Sequence, residues 1–179
     1  MEISDATELL RDAVGNGRGV WADLGAGSGT FTRALAALLG DGSTIYAVDD
    51  DASAVRKLRE LPATRGTRVV AVKADFTRTL ELPSIGDALL DGIQLANALH
   101  FVRDAQAVLG HLVQRLRSAG RVVVVEYDRR AASRWVPYPI PASRWTELAA
   151  EVGLKDAKIT ATRPSAYQGI LYVGAATKP

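Results

Sequence analysis

A glycine-rich turn within residues 20–31 constrains this chain more than any other feature. An apolar run ends in Asp23, and Gly25, Gly27 and Gly29 follow at every second position. When a buried strand breaks into such a turn and then opens a helix, bare backbone, unpaired N–H groups and a positive dipole end approach a ligand. The acid in front of the glycines indicates that the ligand also carries positive charge. The pattern therefore favours a nucleoside with an amino-acid tail over a pyrophosphate.

The glycine spacing argues against a nicotinamide dinucleotide. Dinucleotide-binding folds use G-x-G-x-x-G, in which the third glycine lets the helix pack on the strand. The sixth position counted from Gly25 is Thr30, and the sixth from Gly27 is Thr32. Neither frame gives the fingerprint, so an oxidoreductase is the weaker interpretation.

Composition indicates an ordinary globular domain. The 179 residues are 47% hydrophobic, which predicts one domain over residues 1–179. No apolar run reaches the roughly 18 residues of a membrane helix, and the acidic N-terminus does not resemble a signal peptide. The chain has no cysteine, so we expect no disulfide, no thiolate metal site and a cytoplasmic location. The net charge of +2 does not by itself indicate a nucleic-acid partner.

Strands and helices are predicted to alternate along most of the chain. Apolar runs predict strands at about 19–24, 44–48, 67–72, 89–96, 121–125, 157–162 and 170–175. Helical periodicity predicts a short N-terminal helix within 1–18 and further helices at about 30–39, 51–60, 104–119 and 143–152.

This alternation predicts an α/β fold. Strands separated by helices form parallel, right-handed crossovers with helices on both faces of the sheet. The last strand pair adds an antiparallel C-terminal strand. We therefore expect a Rossmann-like, doubly wound, mostly parallel sheet of seven strands, with the site at the carboxyl ends of the strands.

Acids at two of these strand ends are candidate nucleoside ligands. Asp49 and Asp50 follow the second strand about 20 residues after the glycine turn, where an acid commonly accepts the ribose hydroxyls. Asp75 ends the third strand and suits the adenine amine, with Phe76 packing near the base. The alternative is that these acids only cap turns and helices, as we expect for Asp51.

The fourth strand ends in Asn97 and His100, close to where the predicted ligand's reactive end would lie. A lone histidine is often structural, and we expect this of His111, which lies on a helix face. His100 is better placed to contact a substrate or to act as a base.

Together these motifs resemble those of class I S-adenosylmethionine-dependent methyltransferases, in particular the small-molecule group that includes ubiquinone and menaquinone biosynthesis enzymes. The resemblance implies S-adenosylmethionine as cofactor and S-adenosylhomocysteine as product. It also implies that Asp23 and the glycine backbone hold the methionine part, Asp49 the ribose and Asp75 the adenine. The candidate cofactor-binding residues are Asp23, Gly25, Ala26, Gly27, Gly29, Asp49, Asp50, Asp75, Phe76 and Asn97.

The segment 127–145 is the candidate acceptor site. It concentrates arginines with aromatic residues, and we assign substrate binding to Arg134, Trp135 and Tyr138. An ordinary solvated loop is the alternative. The family's usual N-terminal cap is reduced here to one short helix, and the usual bulky start of the fourth strand is reduced to residues 90–92.

Methyl transfer from a sulfonium is an in-line displacement, so the protein mainly aligns the reactants and excludes water. We expect His100 to be the catalytic base for a small-molecule acceptor whose nucleophile is protonated, such as a phenol. Two alternatives stay open. One is a non-catalytic cofactor-binding partner subunit. The other is an RNA methyltransferase, which the isoelectric point near 9.0 permits and which would bind in a strongly salt-dependent way.

Overall fold

The computed structural model describes residues 1–62, 64, 66–83, 85, 89–129, 131–165 and 169–179. Seven strands within these residues form one sheet in the order β3-β2-β1-β4-β5-β7-β6. The strands are β1 (Val20–Leu24), β2 (Thr44–Asp49), β3 (Arg68–Lys73), β4 (Leu90–Ala96), β5 (Leu116–Tyr127), β6 (Lys155–Pro164) and β7 (Ile170–Thr177). Strands β1 to β5 pair in parallel, and β7 lies antiparallel between β5 and β6. The predicted fold class is confirmed.

Five α-helices lie among the described residues, and an aspartate caps the start of two of them. They are α1 (Ile3–Val14), α2 (Thr30–Leu38), α3 (Ala52–Arg59), α4 (Ala105–Gln114) and α5 (Ala142–Glu151). The carboxylate of Asp51 accepts from the Ser53 N–H at 2.6 Å, and that of Asp104 accepts from the Ala107 N–H at 2.9 Å. In the part of the chain described here, no helix has the length and apolar character needed to cross a membrane.

Both faces of the sheet are covered, as a run of four valines in β5 predicts. Val122 and Val124 belong to one hydrophobic cluster, while Val123 and Val125 belong to another on the opposite face. Alternation along a strand sends neighbouring side chains to opposite faces, so a continuous apolar run requires cover on both. Helices α1 and α2 pack on the face that carries Val123 and Val125, and helices α4 and α5 pack on the opposite face.

One connection differs from the sequence prediction. The helix expected to continue towards Gly120 ends at Gln114 instead, and β5 already begins at Leu116. The N–H of Ala119 donates to the Lys178 carbonyl at 2.9 Å, so the C-terminal end of the chain pairs with this early part of β5. Between β3 and β4 the described residues contain no helix, in agreement with the sequence prediction, which places none there.

The reduced start of β4 has a steric explanation. A Cβ atom on Gly92 would lie 2.5 Å from the Trp21 ring of β1, so only glycine fits beneath this indole. The preceding Asp91 accepts from the Val20 N–H at 2.6 Å and pairs with Arg117. These residues therefore dock β4 on β1 at the edge of the sheet opposite the predicted site.

Candidate active site

The glycine turn folds tightly against the ends of neighbouring strands. Gly25, Gly27 and Gly29 all have left-handed backbones, with φ of 72°, 54° and 85°. A Cβ on Gly25 would lie 2.7 Å from the Cβ of Ala98, so the turn packs directly on the chain that follows β4. The N–H of Gly27 donates to Asp49 Oδ2 at 2.8 Å. Both the conformation and the close packing therefore require glycine in this turn.

Asp23 lies behind this turn and is fully buried. Its Oδ2 accepts from the Thr32 hydroxyl at 2.6 Å, and its Oδ1 accepts from the Gln94 amide at 3.0 Å. Burial raises the pKa of the Asp23 carboxyl, partly offset by these two hydrogen bonds. The carboxylate thus joins β1 to α2 and β4 and does not line the cavity described next.

A cavity of about 360 Å³ lies at the carboxyl ends of β1, β2, β3 and β4; we call it the glycine-turn cavity. Its volume falls within the range of about 300–1,000 Å³ usual for small-molecule sites. Six of the ten candidate cofactor residues line it, namely Gly25, Asp49, Asp50, Asp75, Phe76 and Asn97. The sequence analysis missed five other lining residues, Ala74, Thr77, Ala98, Phe101 and Val102. Their positions just after the ends of β3 and β4 were the available signal.

The carboxylates of this cavity are ordered by local hydrogen bonds. Asp49 accepts from Gly27 through one oxygen and from the Asp51 N–H through the other, at 2.9 Å. Asp75 accepts from both the N–H and the hydroxyl of Thr77, at 2.9 and 2.6 Å. The Thr77 hydrogen bonds hold the pKa of Asp75 below its ordinary value. Each Asp49 oxygen keeps a further lone pair for a ligand hydroxyl or amine. Both Thr77 hydrogen bonds go to Asp75 Oδ1, so Asp75 has acceptor capacity left on Oδ2, which also pairs with Arg78 at 3.2 Å.

A second cavity, of about 570 Å³, adjoins the first; we call it the histidine cavity. The two share Asn97 and Phe101, so they meet at the end of β4. Asn97 has a left-handed backbone with φ of 53°, and its buried Oδ1 has no hydrogen-bond partner within the described chain. The remaining lining residues are His100, Tyr127, Arg129, Trp135 and Val136.

His100 is held by a buried carboxylate. After β4 the chain forms a short 3-10 helix, Leu99–Phe101, which leaves His100 only 2% exposed but Phe101 57% exposed. His100 Nδ1 lies 2.5 Å from Glu126 Oε2, and the His100 backbone N–H donates to Oε1 at 3.1 Å. Glu126 is fully buried at the end of β5.

The sequence analysis did not identify Glu126. The available signal was an acid that closes an apolar valine run at the carboxyl end of a central strand.

The charge of Glu126 also affects the neighbouring Tyr172. Burial raises the pKa of Tyr172 well above its ordinary value, and the charges of Glu126 and Asp128 raise it further.

The candidate acceptor residues do not lie together. Trp135 is 73% exposed and lines the histidine cavity, and the Arg134 guanidinium stands 5.2 Å from the centroid of its ring. Tyr138 lines a different cavity, beside Arg103 and Arg144, and reaches His100 only through a backbone hydrogen bond of 3.0 Å. The structure therefore separates Tyr138 from the other two.

The arginine and aromatic cluster of segment 127–145 is likewise divided by the fold. Arg144 pairs with Glu147 and Glu151 along α5, and Trp145 is fully buried in the core. Arg129 lines the histidine cavity, and Arg130 lies outside the described residues. The described residues of this segment therefore do not present one continuous basic surface.

The strand order, the reversed last strand and the cavity beside the glycine turn define a class I S-adenosylmethionine-dependent methyltransferase fold. A family model described as a methyltransferase domain matches residues 22–122. The chain belongs to this family. No curated protein sequence matches the chain.

Solved structures with the same fold cover nearly all of the chain. An S-adenosylmethionine-dependent methyltransferase from Thermotoga maritima is 16% identical, with 99% of this chain and 90% of that one covered at a TM-score of 0.73. One from Aquifex aeolicus is 14% identical, with full coverage of both chains and a TM-score of 0.69. Magnesium protoporphyrin IX methyltransferase from Synechocystis PCC 6803, solved with bound S-adenosylmethionine, is 17% identical, with 98% and 77% covered and a TM-score of 0.63. At these identities the likeness concerns the fold.

Proposed function

We propose that this chain is an S-adenosylmethionine-dependent methyltransferase that acts on a small-molecule acceptor. The observation that carries the proposal is the meeting of two cavities at Asn97 and Phe101, one edged by the glycine turn and acids and the other by a buried histidine. A methyl donor bound in the glycine-turn cavity and a methyl acceptor bound in the histidine cavity would meet at these two residues. The cofactor bound to the Synechocystis relative supports the choice of donor.

The volume and the lining residues of the glycine-turn cavity support this choice of cofactor. In this proposal Asp49 and Asp50, which line the cavity, accept from the ribose hydroxyls, and Asp75 with Phe76 binds the adenine. The methionine part would lie against the glycine turn, over Gly25. Because Asp23 is buried with both oxygens engaged, its proposed role becomes indirect: it holds the turn in place rather than contacting the ligand.

The histidine cavity suits a small acceptor with apolar surface. Phe101, Trp135 and Val136 supply apolar walls, while His100 and Arg129 supply polar groups. The exposed Trp135 lies at the rim, where closure over a bound acceptor would exclude water. We therefore retain Trp135 and Arg134 as acceptor-binding candidates and withdraw Tyr138.

The bound cofactor would supply an activated methyl group, and the chain's own residues would align the acceptor and handle its proton. Positioning of this kind supplies much of the barrier reduction in bimolecular transfers. We propose that His100 accepts the proton of an acceptor hydroxyl, a contribution typically worth about 10²–10⁴-fold in rate.

Calorimetric titration with S-adenosylhomocysteine tests the donor site. We expect micromolar binding, weakened at least about tenfold in Asp49→Ala because the ribose hydroxyls lose a hydrogen-bond acceptor. Gly25→Ala should also lose affinity, because its Cβ would push Ala98, which lines the cavity.

Gly153→Ala is the matched control for Gly25→Ala. Gly153 has a similar left-handed φ of 79°, but a Cβ there meets no atom within 4 Å, and it lies outside the cavity. It should lose stability and keep the affinity of the unchanged protein. Binding of NADH instead of S-adenosylhomocysteine would overturn the proposed function.

A further inference from the structure

We propose that Glu126 is a positioning residue that holds His100 as the Nδ1–H tautomer and so presents an unprotonated Nε2 to the histidine cavity. This inference rests on the proposed function, in which His100 is the base. Glu126 would make His100 a base at Nε2, the nitrogen presented to the histidine cavity. Such a base favours acceptors whose nucleophilic atom carries a proton.

Both oxygens of Glu126 face nitrogen atoms of His100. The His100 backbone N–H is a donor and faces Glu126 Oε1 at 3.1 Å. The other oxygen, Oε2, faces Nδ1 at 2.5 Å. In the proposed arrangement Glu126 is a carboxylate and can only accept, so Nδ1 carries the proton and the neutral ring has its lone pair on Nε2.

The second ring nitrogen is free to meet a ligand. Within the described chain, Nε2 of His100 has no hydrogen-bond partner and is not among the fully enclosed polar atoms that lack one. The ring is also fixed in orientation by neighbouring rings: its centroid lies 4.4 Å from that of Phe101 and 6.0 Å from that of Tyr127. All three side chains line the histidine cavity.

A base held in this way is useful only to an acceptor whose nucleophilic atom carries a proton at neutral pH. A hydroxyl on an aromatic ring has a pKa of about 10 and therefore meets that condition. The flat apolar ring would also pack well against the aromatic walls formed by Phe101 and Trp135. Its proton would pass to Nε2 as the acceptor oxygen bonds to the methyl carbon. The bond from that carbon to the sulfonium sulfur breaks, and its electron pair stays on sulfur. The Glu126 carboxylate balances the resulting imidazolium.

Glu126→Gln gives a sharp test because it should reverse the tautomer. The backbone N–H of His100 still needs an acceptor, so the glutamine oxygen should take that side and leave its NH₂ group against Nδ1. Two donors cannot pair, so Nδ1 must lose its proton and Nε2 must gain it. The histidine cavity would then face a donor instead of a base.

Nitrogen-15 NMR of the histidine rings reads the tautomer directly and needs no acceptor. The chain has only two histidines, and His111→Gln assigns the signals of His100. At about pH 9, where an ordinary imidazole is neutral, we expect Nδ1–H in the unchanged protein and Nε2–H in Glu126→Gln. Glu81→Gln, which alters an exposed acid elsewhere, should keep Nδ1–H.

An Nε2–H tautomer in the unchanged protein would overturn the inference, whether or not Glu126→Gln folds. An unchanged tautomer in a folded Glu126→Gln would overturn it too. S-adenosylhomocysteine binding, measured on the same samples, separates this failure from failure of the proposed function. With a phenolic acceptor in hand, Glu126→Gln should lower kcat about 10²–10⁴-fold with little change in KM.

Discussion

Asp23 is fully buried and both of its oxygens accept hydrogen bonds, which makes it a structural acid beside the candidate cofactor site. Its oxygens are engaged by Thr32 and Gln94, while Gln94 Oε1 has no partner within the described chain. Both oxygens of the carboxylate are therefore hydrogen-bonded, but burying its negative charge away from water still costs free energy. This cost should appear in how stability depends on pH.

Asp23→Asn should be more stable than the unchanged protein at neutral pH. Burial raises the folded-state pKa of Asp23 above the ordinary 3.8, so the folded state holds this proton more tightly than the unfolded state. The free energy of unfolding therefore falls as the pH rises from about 3.8 through the raised pKa. An asparagine does not titrate there, and the amide of Gln94 can turn its free oxygen towards the new NH₂ group.

Urea unfolding of both proteins between about pH 4 and pH 7 measures this difference. The advantage of Asp23→Asn should be smallest at the acid end and grow towards neutrality. Asp12→Asn, on an exposed position of α1, controls for the loss of one negative charge. A difference that shrinks as the pH rises would contradict the raised pKa of Asp23.

Strand β4 is the element on which the candidate site depends most. At its start, Asp91 and Gly92 dock it on β1. At its end, the chain supplies Asn97, His100 and Phe101 to the two cavities. Packing at the start of β4 therefore sets the position of the candidate site residues that follow its other end.

Two glycine-to-alanine substitutions separate steric fit from helix propensity. Gly92→Ala should destabilise the fold by about 1–3 kcal/mol, because its Cβ overlaps the Trp21 ring at 2.5 Å. Gly110→Ala in α4 should instead stabilise by about 0.5–1 kcal/mol, since its Cβ meets only Val152 at an ordinary 3.9 Å. Urea midpoints with unchanged m-values would measure both effects. A neutral Gly92→Ala would contradict the docking described for β4.

For the whole molecule, the proposed cofactor site couples binding to folding. A ligand that binds only the folded state adds about 2.7 kcal/mol at a hundredfold excess over its Kd. For a chain of 179 residues this corresponds to a Tm increase of about 5–10 °C. We expect S-adenosylhomocysteine to produce this increase in a thermal unfolding scan.

Variants in the two cavities should differ in the Tm increase that S-adenosylhomocysteine produces. Trp135→Ala should keep the increase, because Trp135 lines only the histidine cavity. Asp49→Ala should lose about half of it or more, because its Kd is expected to rise at least about tenfold. If Trp135→Ala lost the increase as well, the assignment of separate donor and acceptor cavities would be wrong.

The sequence by itself determined the parts of this protein that depend on local patterns. The valine run of β5, the capping residues Asp51 and Asp104 and the glycines of the turn predict strands, helix starts and left-handed backbone directly. The order of these elements along the chain is sufficient to predict the sheet and the edge at which the candidate site lies.

Only the tertiary structure decided which polar groups act together. His100 and Glu126 are 26 residues apart, and they meet because β4 and β5 pair in parallel, with Ala96 opposite Val125. The same folding turns Asp23 inward and moves Tyr138 to another cavity. A side chain's partner depends on strand register and on the path of loops, and these are set by packing between distant segments rather than by local sequence.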